Sequence, residues 1–359
     1  QGDHVFWIGN TFAERMQYFG EIESRLHARY PEHNLVVRNL AWSADTISLR
    51  PRPKDFGDVH HYLSKVKADV ILVCCGFNET WDYGEDEGIA RFEVNLASFL
   101  GGMQSKNYNG ESPPKIVLYS PIACEGGTVP DTPNRNRLLL LYTNTMQRVA
   151  DSLGIPCLDL YSASKAIYQQ DEEKKHTING IHLTAEGYSK LAPTILSDKL
   201  FAPLPNGAPL QAIRTEVLEK NETFFDWYRT VNSFYIHGDR KNPYGSVNFP
   251  LERKKLLQMT SLRDQRVWSA ARGDKLPPEI DDSSTVEIPK TQPSKRGGTS
   301  PALSPIKERA KFEIAEGFQV ELFASEEEFP ELRNPVALKF DGAGRLWVAT
   351  MPSYPHALP

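Results

Sequence analysis

His4-Val5-Phe6-Trp7-Ile8-Gly9-Asn10-Thr11-Phe12 passes from a continuous apolar run, through a glycine and two small polar residues, into the first apolar position of a helical pattern. Val5 to Ile8 reads as a strand buried on both faces, and Phe12 to Tyr30 as the amphipathic helix after it. Working outward, the same alternation recurs. Strand-like runs occur at Leu35–Asn39, Val70–Cys74, Lys115–Tyr119 and Cys157–Leu160. Helical patterns occur at Phe92–Met103 and Leu138–Leu153, with a last helix from near Thr184 to about Leu200. Strands alternating with helices predict an α/β domain with a parallel sheet covered on both faces, spanning residues 1–205.

A chain of 359 residues is long for one domain, and its character changes after Pro203-Leu204-Pro205. Residues 206–273 predict a helical extension broken at Gly238 to Pro250, with Phe224, Phe225, Trp227, Tyr228, Phe234 and Tyr235 packing as core rather than lining a ligand face. Residues 274–310, rich in Pro, Ser, Thr, Gly and Lys, predict a disordered linker whose Lys290–Ser300 run is a solvated spacer. From 311 to 359 strand signals return at Phe318–Phe323, Val336–Phe340 and Arg345–Ala349, with Asp341-Gly342 as a hairpin turn. Two or three strands cannot bury a core alone, so the expectation is a piece of a longer protein. No internal repeat is evident.

Composition narrows the function. Forty per cent hydrophobic and 24 per cent charged residues are ordinary globular values, and a net charge of -5 offers no basic footprint for nucleic acid or a membrane surface. No apolar run approaches the roughly 20 residues needed to span a bilayer, and no signal peptide is present in this chain. Cys74, Cys75, Cys124 and Cys157 form no CxxC pattern, so zinc, thioredoxin-like and c-type haem readings lack ligands. Cys74-Cys75 closes an apolar run and reads as buried free thiols. His60-His61, with no partner one helical turn away, reads as a solvated helix start, and no metal or other cofactor is expected.

Four segments fall at the carboxyl ends of the expected strands or before the last helix, where open α/β sheets place their sites. They are Ile8-Gly9-Asn10-Thr11, Asn39-Leu40-Ala41-Trp42-Ser43-Ala44-Asp45-Thr46, Gly76-Phe77-Asn78-Glu79 and Asn179-Gly180-Ile181-His182-Leu183-Thr184. Each has a plain structural reading. Thr11 could cap the helix from Phe12, Asn78 could form a turn, and His182 could be a loop histidine before a helix capped by Thr184.

Taken in order, the four segments resemble the blocks of the SGNH (GDSL-like) hydrolase superfamily over roughly the first 200 residues. The resemblance implies a flavodoxin-like, three-layer α/β fold and ester hydrolysis. In that chemistry a hydroxyl after the first strand attacks an ester carbonyl, and a histidine near the C-terminus moves its proton. Backbone N–H groups and an asparagine amide hold the oxyanion. Position by position, the resemblance places Thr11 as nucleophile, His182 as base and Asn179 at the orienting acid. The Thr11 N–H, Ala44 N–H and Asn78 form the oxyanion hole, and Asn10 and Glu79 are substrate-contact candidates.

The departures from the family pattern are specific. Gly-Asp-Ser reads Gly9-Asn10-Thr11, so the nucleophile carries an extra methyl that restricts its χ1 and crowds the hydroxyl. Asp-x-x-His reads Asn179-Gly180-Ile181-His182, replacing a carboxylate by an amide; in the serine-protease triad that change lowers turnover about 10⁴-fold. Ala44 stands where glycine is usual, which a backbone donor should tolerate. Glu79, Asp45 or Glu186 could substitute as the acid, but nothing in the sequence sets one beside His182.

Residues 312–355 resemble the opening strands of a β-propeller. They are similar to propellers of planctomycete-type proteins resembling membrane-bound or sugar dehydrogenases with haem-binding domains. The resemblance implies an exported (periplasmic or extracellular), multidomain parent whose propeller partners this fragment. Three functions remain open: a small-acyl ester hydrolase, with carbohydrate acetyl esters among its candidate substrates; a catalytically silent glycan-binding or scaffolding module; and a sugar oxidoreductase whose chemistry lies elsewhere in the parent.

Overall fold

The computed structural model describes residues 2–126, 129–170, 174–230, 233–238, 244–288 and 303–351. The chain divides into two compact units, the first comprising residues 1–228 and 256–285. The first unit opens with β1 (His4–Gly9), α1 (Thr11–Phe19), α2 (Glu21–Arg29), β2 (Val36–Asn39), α3 (Val59–Lys65), β3 (Val70–Cys74) and α4 (Glu79–Asp82). It continues with α5 (Glu87–Gln104), β4 (Lys115–Tyr119), α6 (Thr132–Leu153), β5 (Cys157–Leu158), α7 (Leu160–Gln170), α8 (Ala185–Ile195) and α9 (Leu210–Tyr228).

The five strands form one sheet in the order β2-β1-β3-β4-β5, every pairing parallel. This is the flavodoxin-like order, whose reversal between β1 and β3 opens a crevice at the strands' carboxyl ends. Side chains alternate between faces. Val5, Trp7, Leu72, Cys74, Val117 and Tyr119 join one core with Ala13 and Met16 of α1, Ile22 and Leu26 of α2, and Tyr188, Leu191 and Ile195 of α8. Phe6, Ile8, Ile71, Val73 and Leu118, on the other face, are equally buried. Burial of each such side chain contributes about 1.5–3 kcal/mol. Among the other helices, α5 and α6 pair, with the Phe92 and Tyr142 rings 4.8 Å apart.

Each expected strand occurs within two residues of its expected ends. The first helix does not run through: Gly20, at φ +63°, ends α1 and begins α2. The left-handed conformation halts the helical ladder there, and glycine adopts it without a Cβ clash. The last helix stops at Ile195, short of the expected Leu200. All four cysteines are free thiols, and Cys74, Cys75 and Cys124 are buried.

The compact unit extends past residue 205. Ile213 and Val217 of α9 pack with Ala28 and with Val267, Ala270 and Ala271. Arg38 on β2 forks onto Asp264 at 2.8 and 2.5 Å, and the buried Lys220 ammonium meets Glu23 at 2.5 Å. Phe224, Trp227 and Tyr228 are buried core, as expected. Arg263 binds Asp282 at 2.8 Å, so the start of the expected linker is packed structure.

The second unit comprises residues 229–255 and 286–359. It holds α10 (Ser233–Ile236), the start of α11 (Tyr244–Arg272), α12 (Pro305–Arg309), and an antiparallel hairpin of β6 (Pro335–Phe340) and β7 (Leu346–Thr350). Phe234, expected in a core, is half exposed. The expected helix break at Gly238–Pro250 falls partly outside the described residues; Tyr244–Pro250 is helical, Pro250 costing one hydrogen bond within a long helix. The expected spacer Lys290–Ser300 lies outside the described residues. Asp341 Oδ1 turns the hairpin by accepting from the Ala343 and Arg345 N–H groups at 2.9 and 3.0 Å. Phe318–Phe323 is not a strand: among the described residues its alternating pattern pairs with no other strand.

Candidate active site

The loops after β1, β2 and β3 converge at the sheet's switch point. Gly9, at φ +125°, lets the first and third approach closely: a Cβ there would lie 1.8 Å from the carbonyl oxygen of Cys74, the last residue of β3. The Gly9 carbonyl in turn accepts from the Trp42 N–H at 2.9 Å, tying in the β2 loop. The next residue, Asn10, is buried and caps α1, its Oδ1 accepting from the Phe12 N–H at 3.1 Å. Capping therefore falls to Asn10 and leaves the Thr11 hydroxyl uncommitted to it. Thr11 Oγ1 instead accepts from the Ala44 N–H at 3.3 Å, which sets that donor directly against the expected nucleophile.

Asn78 Nδ2 donates to the Asp45 carbonyl oxygen at 2.8 Å, fixing the amide while its second N–H stays available. Its side chain does not serve the turn that begins α4. His182 lies on the loop before α8, whose N-cap is Thr184 as expected. His182 Nδ1 lies 3.0 Å from Asn179 Oδ1. That oxygen also accepts from the backbone N–H groups of His182 at 3.1 Å and Ile181 at 3.4 Å. Two backbone donors require the amide oxygen, not its NH₂, to face the ring, so Nδ1 carries the proton and Nε2 presents a lone pair. Burial, reinforced by the Arg15 charge, lowers the His182 pKa below the ordinary 6.5 and favours the neutral base.

Thr11, Ala44, Asn78 and His182 all line one cleft of about 230 Å³, together with Asn10 and Trp81. Among the described residues no hydrogen bond joins Thr11 Oγ1 to His182. None of the three alternative acids reaches the histidine either. Asp45 is forked by Arg52 at 2.8 and 2.5 Å, Glu186 pairs with Lys174 at 2.6 Å, and Glu79 is sealed inside.

A family model described as the GDSL-like lipase/acylhydrolase family matches residues 11–190, half the chain. The chain belongs to this GDSL-like family. A second model, a domain of unknown function (DUF7133), matches residues 304–358. No curated protein matches the chain. Among solved structures, it is similar to a GDSL-like lipase candidate from Parabacteroides merdae at 13% identity, over 55% of this chain and 94% of that one, with a TM-score of 0.45. It is similar to Axe2, an acetylxylan esterase from Geobacillus stearothermophilus, at 18% identity, over 55% and 93%, with a TM-score of 0.41. A third is LAE5, an α/β hydrolase enzyme from the metagenome of Lake Arreo, Spain, at 18% identity, over 55% and 94%, with a TM-score of 0.41.

In this GDSL-like chain Glu79 is not a substrate contact. Its side chain is wholly buried, with Oε1 accepting from the Ile47 N–H at 2.9 Å and Oε2 from the Gly76 N–H at 2.8 Å. Burial pushes its carboxyl up to about 7 against the pull of those two donors. It braces the loop carrying Ala44 against the one carrying Asn78. Glu79→Ala should strand two buried donors at about 1–3 kcal/mol each, a loss checked by urea unfolding. Ordinary carboxyls ionise near 4.5, so the folded chain binds the extra proton between about 4.5 and 7. The wild-type contribution from Glu79 therefore falls as pH rises through that window, and the variant should lack this slope.

Ala44 sits at φ +66°, where its Cβ is strained. A glycine here answers a backbone conformation as well as a backbone donor. Ala44→Gly should raise stability by up to about 1 kcal/mol, read as a higher unfolding midpoint. Glu125 has no motif to announce it. Its carboxylate accepts from the His176 and Thr177 N–H groups at 2.7 and 2.9 Å, pinning the start of the histidine loop, while its own N–H donates to the Gly180 carbonyl at 2.8 Å. The pairing spans 51 residues and leaves no local sequence signal.

Proposed function

We propose that this GDSL-like domain hydrolyses small acyl esters with Thr11 as nucleophile and His182 as general base. The observation that carries the reading is the orientation of Asn179. Its oxygen, held by two backbone N–H groups, keeps the imidazole in the tautomer a base needs. The amide thus supplies what a triad acid supplies by geometry and lacks only its charge.

Thr11 Oγ attacks the ester carbonyl carbon, and its proton passes to His182 Nε2. The carbonyl oxygen becomes an oxyanion held by the Thr11 and Ala44 N–H groups and the second Nδ2–H of Asn78. Collapse breaks the bond to the alcohol, which leaves with the proton from His182. Water, deprotonated by the same nitrogen, then releases the acid from Thr11. A cleft of about 230 Å³ and the threonine methyl beside the reacting oxygen favour acetyl over bulky acyl groups. Trp81, half exposed at the cleft with the Arg135 guanidinium 3.4 Å from its ring centroid, offers an aromatic face to the alcohol side. That supports a carbohydrate ester. The test is hydrolysis of a short acetyl ester, which should require both Thr11 and His182.

A second reading, a silent glycan-binding module, rests on the missing hydrogen bond between Thr11 and His182; saccharide binding without turnover would establish it. The hairpin bears on the parent protein. Val336, Leu338 and Phe340 are 59%, 68% and 54% exposed on one face of β6, an apolar surface that further strands would cover. It supports further sheet, such as a propeller, in the parent.

A further inference from the structure

A second cavity, about 440 Å³, lies beside the catalytic cleft and shares only Cys74 and Cys75 with it. The segment after Ala44 forms one wall, and four charged side chains line the space: Asp45, Arg50, Arg52 and Asp58. Three are accounted for. Arg52 and Asp45 neutralise each other in a forked pair at 2.8 and 2.5 Å. Asp58 caps α3, its Oδ1 accepting from the His61 N–H at 2.7 Å.

Arg50 is different. Its guanidinium lies 4.6 Å from the centroid of the Phe99 ring, and among the described residues no carboxylate stands within ion-pair distance. Burial lowers its pKa, as does the Arg52 charge, while the Asp45 and Asp58 charges act from a distance in the opposite direction. A half-buried guanidinium with no carboxylate in direct contact has lost hydration that a bound carboxylate would replace. The rest of the wall is largely apolar and aromatic, including Phe56, Tyr62 and Tyr228. Asp45 and Asp58 on the same wall disfavour a second negative charge.

We propose that this cavity binds an organic monocarboxylate, its carboxylate on Arg50 and its apolar body against Phe56, Tyr62 and Tyr228. The site is separate from the ester-cleaving residues, so it stands whether or not the chain is a hydrolase.

The experiment titrates the full chain with benzoate, with the neutral isostere benzamide and with inorganic phosphate, by calorimetry and thermal unfolding. Benzoate should bind saturably and raise Tm by several degrees at saturation. Benzamide and phosphate should bind at least about tenfold more weakly. Arg50→Gln should lose the benzoate response while its ester turnover and unliganded Tm stay close to wild type. Benzamide binding as tightly as benzoate, no benzoate binding at millimolar concentration, or a full response in Arg50→Gln would overturn the proposal. Tighter binding of phosphate would replace the organic acid by an inorganic anion. The benzoate–benzamide comparison on wild type decides the question even if the variant folds poorly.

Discussion

Thr11→Ala is expected to lower kcat/KM for a short acetyl ester by about 10³-fold or more while leaving the fold intact. The loss follows from removing the hydroxyl proposed to form the acyl intermediate. The fold should survive because Asn10 holds the start of α1, and among the described residues the Thr11 hydroxyl is hydrogen-bonded only by the Ala44 N–H, at 3.3 Å. That donor lies in an exposed loop and can turn to water. Matched far-UV circular dichroism and unfolding midpoints, beside initial rates, separate loss of chemistry from loss of structure. Thr11→Ser should move the other way, because removing the methyl frees χ1. Undiminished turnover in Thr11→Ala would remove the threonine from the mechanism.

Asn179→Asp is expected to raise kcat by about 10²-fold or more, within the about 10⁴-fold that the reverse change removes from a serine-protease triad. Asn179 already fixes the ring through an oxygen that accepts from Nδ1 at 3.0 Å, so the substitution changes charge with little change of geometry. A carboxylate there would stabilise the imidazolium that forms as Thr11 loses its proton. The pH profile should change with it. In the wild type, His182 is held below 6.5 by burial and by Arg15, so activity should rise with pH through a midpoint below that value. The new carboxylate favours the protonated ring and moves that midpoint upward. A variant with faster turnover but an unmoved acidic limb would show that the histidine is not the titrating group.

How much of this was readable from residues follows their physics. Strands buried on both faces announce themselves as uninterrupted apolar runs, and Val70–Cys74 and Lys115–Tyr119 occur with the expected limits. Thr11, Ala44, Asn78 and His182 could be named from short motifs because each follows or precedes a sheet or helix end, and they line one cleft. Gly20 was opaque, since a glycine inside an amphipathic pattern does not declare a positive φ. Glu79 looked like part of the site through its place in Gly76-Phe77-Asn78-Glu79, yet it serves two backbone donors inside the protein. Its role depends on Ile47, 32 residues away, and no local pattern encodes such a pairing. Similarly, Phe318–Phe323 alternates like a strand, but alternation specifies a face and not a partner.

A histidine oriented by an amide is proposed to drive ester hydrolysis. The most direct test is the rate of acetate release from a short acetyl ester by the purified protein beside His182→Ala. Turnover in the wild type should fall by about 10²–10⁴-fold in the variant, with both proteins equally folded. Equal rates in the two, or no turnover from well-folded wild type, would contradict it.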